Sequence, residues 1–225
     1  MTASVFDNLN KRQHVYEYRT DCVPDYDTIH KILHDAWVVT PSKQNIMPYK
    51  LNVLGPEHTF TKQQIYHKVV KNEHRMNTES EIAPIDNESN PFCKNVLHNP
   101  YLIVFSQRVC TDIDINPFYK ARLKKGQFID QCSAKHVNRI KPTTSFEAGL
   151  FAQNIAALCL EKNIYYSFTG CFPGNKEDWK NIPFIDEDPL MLMSLGYPKT
   201  FRRECIPNDT NDDYKTAFEN VVHFE

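Results

Sequence analysis

Glycine is scarce in this chain, which has only six glycines among its 225 residues. They form neither the GxGxxG nor the GxxxxGKS/T pattern with which many nucleotide-binding loops hold phosphate. The GxSxG and HExxH motifs of hydrolases are missing as well. The sequence therefore offers no evidence for a hydrolase with its own nucleophile. If the protein is an enzyme, we expect its demanding chemistry to come from a bound organic cofactor.

Cysteines paired for disulfides or for metal binding are also missing. The seven cysteines are scattered, their number is odd and no CxxC pair occurs, so neither a disulfide framework nor a zinc knuckle is predicted. Cys132 and His136 are four residues apart and could share a helix face as metal ligands. No second close pair accompanies them. A buried thiol beside a surface histidine is therefore the favoured interpretation, and no metal site is predicted.

Charge and hydropathy exclude two further classes of partner. The net charge is −2, which gives no reason to expect binding to nucleic acid or to an anionic membrane. No apolar run approaches the roughly 20 residues of a membrane-spanning helix. The opening residues, "MTASVFDNLNKRQ", lack the apolar stretch of a signal peptide. We therefore expect a cytoplasmic protein without nucleic-acid or membrane partners.

Secondary-structure signals predict a mixed α and β protein, built as a single domain over residues 1–225. Apolar residues recur at three- and four-residue spacing in "VPDYDTIHKILHDAWVV", which predicts a helix capped by Asp25 or Asp27 and ended by Pro41. Further helices are predicted at "TKQQIYHKVVKNEH", "SFEAGLFAQNIAALCLEKN" and "NKEDWKN", and strands at "YKLNVLG", "PYLIVFSQ", "IYYSFTG" and "PLMLMSLGYP". Residues 76–90 are predicted to form a loop, and residues 107–144 a helical excursion.

The segment "SFEAGLFAQNIAALCLEKN" is the most apolar of the predicted helices. A helix that is apolar nearly all round belongs at the centre of a fold. Ser145 can cap this helix, and Glu147 then lies at the positive end of the helix dipole, beside the free N–H groups of the first turn. The sequence therefore predicts a central helix whose start, at Glu147, Ala148 and Gly149, is able to face a ligand.

Five segments, in order along the chain, resemble the FMN-dependent nitroreductase family. They are "KRQHVYEYRTDCVP", "PSKQNIMPY", "PYLIVF", "FEAGLFAQN" and "SLGYPKTFRR". The resemblance covers roughly residues 8–207. The resemblance implies an α+β fold with a central, mainly antiparallel sheet surrounded by helices, built as an intertwined homodimer. We expect the apolar C-terminal tail, residues 208–225, to lie on the partner subunit.

The resemblance also implies which residues hold the FMN phosphate. Arg12 would make paired charge-assisted bonds to it, with Gln13 and His14 as further donors on the same short segment. Arg202 and Arg203 would supply a second cationic contact just after a strand. Each of these residues also has a simpler interpretation, because Arg12 could be a solvated helix residue and the arginine pair could be surface charge.

For the flavin ring, the resemblance implies a site shared between subunits. The polar loop at Pro41, Ser42, Lys43 and Asn45 would serve the flavin held by the other subunit. Glu147, Ala148, Gly149, Thr169 and Gly170 would complete the cofactor site. Two of these residues have structural alternatives, since Asn45 could close an Asx-turn before Pro48, and Glu147 could be only an acid in the first turn of its helix.

The activity implied by the resemblance is that of an FMN-dependent oxidoreductase. It would take hydride from NAD(P)H onto the flavin and reduce a small acceptor such as a nitroaromatic or a quinone. Glu147 is the candidate catalytic residue, and Tyr119 and Phe128 are candidate substrate contacts, although such aromatics more often serve packing. The alternatives are a reductive dehalogenase-like or flavin-consuming member of the same fold, and a non-catalytic flavin-binding protein. A nucleic-acid-binding module using the basic segment Lys120–Lys141 is a more distant alternative.

Overall fold

A computed structural model describes residues 5–79, 99–108, 117–126, 142–170, 172–173, 176–185, 187–201 and 221–222. Its helices are α1 (Val5–Asn10), α2 (Tyr26–Val39), α3 (Thr59–Glu79), α4 (Pro117–Lys124), α5 (Pro142–Glu161) and α6 (Lys176–Trp179). Its strands are β1 (Val15–Tyr18), β2 (Tyr49–Leu54), β3 (Tyr101–Gln107), β4 (Tyr165–Thr169), β5 (Pro189–Gly196) and β6 (Pro198–Phe201). A single 3₁₀ turn, Lys43–Asn45, lies between α2 and β2.

The larger sheet has four strands in the order β2-β3-β5-β4, and every neighbouring pair is antiparallel. β3 lies inside the sheet, and all seven of its residues are buried. A strand that is covered on both faces needs apolar side chains on both, which explains its continuous apolar run. The prediction of a mainly antiparallel central sheet is confirmed.

Helices cover both faces of this sheet. On one face, Ile103 and Phe105 of β3 belong to the core that α2 and α5 form with the sheet. On the other face, Leu102 and Val104 pack in a second cluster that includes Ile65 of α3. The alternation follows from the two-residue period of a strand. The central position predicted for the apolar helix α5 is therefore confirmed. This helix contributes seven residues to the core that it shares with α2, namely Ala148, Phe151, Ala152, Ile155, Ala156, Cys159 and Leu160.

The two shortest strands, β1 and β6, pair separately and place Val15 opposite Phe201. Buried hydroxyl groups fix this ladder to the larger sheet. The Tyr18 hydroxyl lies 3.1 Å from Ser167 Oγ and 3.1 Å from the Ser194 carbonyl oxygen, and the Ser167 hydroxyl donates to the Val15 carbonyl at 2.9 Å. The start of the chain and the segment before Arg202 are thereby joined.

The helix α2 begins and ends where local sequence signals place it. Asp25 is its N-cap, and the carboxylate accepts the Thr28 backbone N–H at 2.8 Å and the Thr28 hydroxyl at 2.8 Å. Thr40 ends the helix, one residue before Pro41. The two bonds that Asp25 accepts from Thr28 are the side-chain capping expected of aspartate at a helix start.

Several element boundaries differ from the predictions. The central helix begins at Pro142, not after Ser145, and α3 extends to Glu79, so that the first residues of the predicted loop 76–90 are helical. Gln107 belongs to β3, which shortens the helical excursion at that end. Of the predicted tail 208–225, only Val221 and Val222 lie within the described residues, and both are exposed. None of the described helices is long and apolar enough to cross a membrane.

Candidate functional site

A buried carboxylate on α5 holds the loop that follows α2. Glu147 is only 5% exposed. Its Oε2 accepts the Ser42 hydroxyl at 2.6 Å, and its Oε1 accepts the Lys43 backbone N–H at 3.1 Å. Ser42 Oγ in turn accepts the Met47 backbone N–H at 2.9 Å. Two of the sequence segments quoted above, "PSKQNIMPY" and "FEAGLFAQN", therefore meet within a single chain.

A second side chain of α5 holds the chain at Thr40, two residues before Ser42. Asn154 donates its amide N–H to Thr40 Oγ1 at 2.8 Å, and the Thr40 hydroxyl donates to the Ala36 carbonyl at 2.6 Å. Glu147 and Asn154 are seven residues apart, which places them on one helix face about two turns from each other. The end of α2 and the start of the loop are thus fixed to α5 at two points.

Arg108 holds the other end of the loop. Its Nε donates to the Met47 carbonyl at 2.9 Å, and its terminal amino group donates to the Ile46 carbonyl. Its backbone N–H donates to the Pro48 carbonyl at 3.0 Å. Three successive carbonyl groups therefore accept hydrogen bonds from one residue. Because an arginine carries five N–H donors in a planar arrangement, it suits this task better than lysine.

The loop between these anchors contains two residues in left-handed backbone conformation. Asn45 has a φ of 55° and Met47 a φ of 50°. Asparagine tolerates this region well, whereas methionine does so at a cost. The Asn45 N–H donates to the Ser42 carbonyl at 3.0 Å and closes the 3₁₀ turn. The loop is therefore a specified, partly strained structure.

Tyr49 lies between the two charged anchors. Burial raises the pKa of its phenol, the Glu147 carboxylate raises this pKa further, and the Arg108 guanidinium acts in the opposite direction. The protonated hydroxyl donates to the Met47 sulfur at 3.1 Å. The Tyr49 ring packs against Phe151 of α5, with 5.4 Å between ring centroids. The start of β2 is thus joined to the loop and to the central helix.

The early start of α5 changes what the residues at its predicted N-terminus can do. Glu147 is the sixth residue of the helix that begins at Pro142. Only the first turn of a helix has free N–H groups, so the free donors expected at Glu147, Ala148 and Gly149 are not there, and that prediction is wrong. Ala148 is a core residue that is 2% exposed, whereas Gly149 is exposed. Proline at the first helical position is favourable because its missing N–H would be unbonded anyway.

Arg12 lies in a turn after α1, not in a helix. Its backbone N–H donates to the Leu9 carbonyl at 3.1 Å, and its guanidinium carbon lies 6.0 Å from the centre of the Tyr166 ring. Burial raises the pKa of Tyr166, and the charge and hydrogen bonding of Arg12 partly oppose this. Arg12 as a whole is an exposed residue. An accessible cation at this position is what a phosphate site requires.

The remaining candidates for the phosphate and the ring edge lie around β1, β4 and β6. Gln13 and His14 are partly exposed and lead directly into β1, whose Val15 pairs with Phe201. Thr169 ends β4 and is 9% exposed, while a Cβ added at Gly170 would meet nothing within 4 Å. Arg202, Arg203 and Phe128 lie outside the described residues, and Tyr119 lies on α4.

Within one chain, the structure separates these candidates into two groups. Ser42 and Lys43 contact Glu147 in the second turn of α5. Arg12 lies beside Tyr166, whose pKa is also raised by Cys159 in the last turn of that helix. Glu147 and Cys159 are twelve residues apart, or about 18 Å along the helix axis. Within one chain, the loop therefore lies toward the start of α5 and Arg12 toward its end.

Two apolar surfaces adjoin these groups. A groove of about 320 Å³ lies between α2, β2 and α5, and its lining includes Trp37 and Phe151. Beside it, at the end of α2, Trp37, Val38 and Val39 are 52%, 61% and 62% exposed. On α5 itself Phe146 is 66% exposed. Exposed apolar surfaces of this kind are typical of binding faces.

The chain is an α+β protein in which a four-stranded antiparallel sheet is flanked by helices. No protein-family model and no curated protein matches it. Solved structures do. One is a nitroreductase family protein from Clostridium novyi NT, with a TM-score of 0.56, 18% sequence identity and 88% of each chain covered. Another is the FMN- and NADPH-dependent nitroreductase NfnB from Sphigopyxis sp. strain HMH, with a TM-score of 0.63, 13% identity and 99% of each chain covered.

A third similar structure, from Exiguobacterium sibiricum 255-15, is assigned as a nitroreductase and was crystallised in complex with FMN. Its TM-score is 0.63 at 13% identity, with 100% of this chain and 99% of that chain covered. At such identities the likeness shows the fold alone. The chain has the nitroreductase fold, which confirms the resemblance and the fold class predicted from the five sequence segments.

Sequence reasoning missed two of the residues that shape the loop. Arg108 gave no signal, because its partners are backbone carbonyls about sixty positions away in sequence. Asn154 did give one, since it is the final residue of the quoted segment "FEAGLFAQN". Its role at Thr40 became evident only from the packing of α5 against α2.

Proposed function

We propose that this protein is an FMN-dependent oxidoreductase that uses NAD(P)H to reduce a small acceptor, such as a nitroaromatic or a quinone. One observation supports this most directly. The nitroreductase fold brings the segments "PSKQNIMPY" and "FEAGLFAQN" together through the Ser42–Glu147 hydrogen bond of 2.6 Å, across 105 positions of sequence. The same fold occurs in a protein crystallised with FMN. When bound, FMN would accept a hydride from the nicotinamide and supply the reactivity toward the acceptor.

The described residues fit such a cofactor at three points. Arg12 presents an exposed guanidinium, which suits a phosphate. The backbone at Gly170 has open space where a Cβ would lie. Gln107 is 6% exposed, lies opposite Tyr49 in the sheet, and its Oε1 has no hydrogen-bond partner among the described residues. A buried amide oxygen without a donor is costly, and a ligand N–H would satisfy it.

The chain's own residues would bind and orient the flavin. Arg12, with Gln13 and His14, would hold the phosphate, and Arg202 and Arg203 would join them from the end of β6. Lys43 and Asn45, both exposed on the fixed loop, would contact the ring edge. Glu147 would act by holding this loop in place, because both of its oxygens already accept hydrogen bonds from it. Pro41 and Ser42 shape the loop, and Thr169 and Gly170 after β4, with Ala148 and Gly149 of α5, would complete the site.

We further propose that the functional unit is a homodimer in which the loop of one subunit serves the flavin held by the other. The placement of the loop beside Glu147 and of Arg12 beside Tyr166, toward opposite ends of α5, supports this. Exposed apolar side chains also support it, namely Phe146 on α5 and the residues at the end of α2. A partner subunit would cover them. Light scattering coupled to size-exclusion chromatography tests the dimer. A stable, folded monomer at micromolar concentration would contradict it.

The absorption spectrum of the purified protein, reconstituted with FMN, is the first test of the function. We expect oxidised-flavin bands that bleach on anaerobic addition of NADH or NADPH and return on addition of a nitroaromatic or a quinone. No reduction by either nucleotide would refute the oxidoreductase. A flavin that binds but turns over with no acceptor would instead support a non-catalytic flavin-binding protein.

The phosphate site is tested by comparing two flavins. A hydrogen bond to a charged group contributes about 1.5–3 kcal/mol, so Arg12→Ala should weaken FMN binding about ten- to a hundredfold. Riboflavin, which has no phosphate, should lose little. Arg19→Ala is the matched control, because Arg19 is an exposed arginine paired with Asp21 at 2.7 Å. Flavin fluorescence titration measures all three proteins. Equal losses for both flavins would mean that Arg12 supports the fold rather than the phosphate.

A further inference from the structure

Arg108 has no part in the proposed chemistry, yet it donates three hydrogen bonds to the loop, whereas Glu147 accepts two from it. Its guanidinium donates to the Ile46 and Met47 carbonyls, and its backbone N–H donates to the Pro48 carbonyl. Among the contacts described for Arg108, all three go to main-chain oxygens of this one segment. A guanidinium that binds carbonyl groups instead of a carboxylate fixes a backbone conformation.

The conformation that it fixes is one that the chain would not adopt unaided. Met47 has a φ of 50°, where a side chain is strained. Its carbonyl accepts Arg108 Nε at 2.9 Å, and its N–H donates to Ser42 Oγ at 2.9 Å. Both polar groups of the strained residue are therefore held, the carbonyl by Arg108 and the N–H by Ser42 at the start of the loop. Without Arg108, a rotation of the Met47 peptide would relieve the strain.

We propose that Arg108 is a positioning residue that keeps the loop from Ser42 to Pro48 in its strained, ligand-ready form. Glu147 holds the donors at the beginning of the loop, and Arg108 holds the acceptors at its end. The two anchors have opposite charges and opposite hydrogen-bonding roles, so neither can replace the other. A loop that is fixed before binding loses less conformational entropy when a ligand arrives. The consequence for FMN affinity rests on the proposed function, whereas the consequence for the loop does not.

The first test is amide hydrogen exchange in the flavin-free protein. Arg108→Met should accelerate exchange at the Lys43 and Met47 amides. These amides donate to Glu147 and to Ser42 Oγ, and both hydrogen bonds form only while the loop keeps its conformation. Arg108→Lys keeps the charge but loses the paired geometry, so it should show a smaller acceleration and also serves if the methionine variant does not fold. Arg19→Met is the control and should leave both amides unchanged. Unchanged exchange at Lys43 and Met47 in both Arg108 variants would overturn the proposal.

The second test uses flavin binding. Arg108→Met should weaken FMN about ten- to a hundredfold, the range that loss of a charge-assisted hydrogen bond produces. Glycine adopts a positive φ without strain, so the loss caused by Arg108→Met should be smaller when Met47→Gly is already present. Equal losses in both backgrounds would overturn the role of the strained backbone. If the unchanged protein binds no flavin, the proposed function fails, and hydrogen exchange alone decides the role of Arg108.

Discussion

Glu147 gives the clearest prediction, because the sequence nominates it as a catalytic group and the structure shows it holding a loop. The carboxylate accepts two hydrogen bonds, from Ser42 and from the Lys43 N–H. Replacing it in Glu147→Gln keeps one acceptor oxygen and turns the other into an N–H₂ donor. Both hydrogen bonds to a charged acceptor are therefore lost. The new N–H₂ either faces the Lys43 N–H donor or donates to Ser42 Oγ, which leaves the Ser42 hydroxyl hydrogen without its acceptor.

The magnitude follows from these contacts. A hydrogen bond to a charged group contributes about 1.5–3 kcal/mol, so Glu147→Gln should lower the free energy of unfolding by about 2 kcal/mol. For a chain of this size, each kcal/mol shifts Tm by about 2–4 °C, which predicts a decrease of about 4–8 °C. Glu161→Gln, at the exposed far end of the same helix, is the control and should change stability by less than about 0.5 kcal/mol.

A double-mutant cycle isolates the contact itself. Ser42→Ala removes the same hydrogen bond from the other side, so the two changes together should cost less than the sum of their separate costs. We expect a coupling energy of about 1–2 kcal/mol by urea or thermal unfolding. The reasoning would be refuted if Glu147→Gln kept the Tm of the unchanged protein but abolished turnover. That outcome would mean that the carboxylate acts in the reaction and not through the loop.

Two further predictions concern packing and pH. Gly196→Ala should destabilise the protein by about 1–3 kcal/mol, because its Cβ would lie 2.7 Å from Pro100 and 2.9 Å from Tyr18. At Gly149, by contrast, an added Cβ meets nothing within 4 Å, so Gly149→Ala should stabilise the flavin-free chain by up to about 1 kcal/mol while weakening flavin binding or dimer formation. Equal effects of Gly196→Ala and Gly149→Ala on thermal unfolding would contradict this prediction. Burial lowers the pKa of Lys62 from 10.5 to about 8, so the unfolded state binds more protons between these values, and the free energy of unfolding should rise with pH there. Lys62→Met should remove that rise, which urea denaturation at pH 7.5 and 9.5 measures. If the free energy of unfolding rises equally with pH in the variant, the Lys62 ammonium is not desolvated.

The elements that could be predicted from sequence are those with local causes. Helix α2 carries its own cap at Asp25, and β3 carries the apolar run that a doubly covered strand needs. The start of α5 was misplaced because serine is a favoured cap and Ser145 precedes the apolar run, whereas the helix in fact uses Pro142 as its first residue. Both signals are valid, and the sequence alone does not rank them.

The elements that could not be predicted depend on distant contacts. Strands β1 and β6 have four residues each, too few for a reliable period, and they are fixed by the Tyr18 hydroxyl on residues about 150 positions away. The loop segment was recognised from its motif, but its conformation was not, because Arg108 and Glu147 act on it from other parts of the chain. Motifs thus located the candidate site, while tertiary contacts determine its geometry.

The scarcity of glycine gains a physical meaning at this loop. Asn45 and Met47 occupy backbone conformations that glycine adopts at no steric cost. Glycine there would remove the strain, but it would also leave the unbound loop more conformations to lose on binding a ligand. Charged anchors on each side stabilise the non-glycine loop instead, and their hydrogen bonds offset a strain of about 1–3 kcal/mol. The chain therefore obtains a rigid polar loop from side-chain contacts rather than from backbone freedom, which suits a surface that must meet a planar cofactor in one orientation.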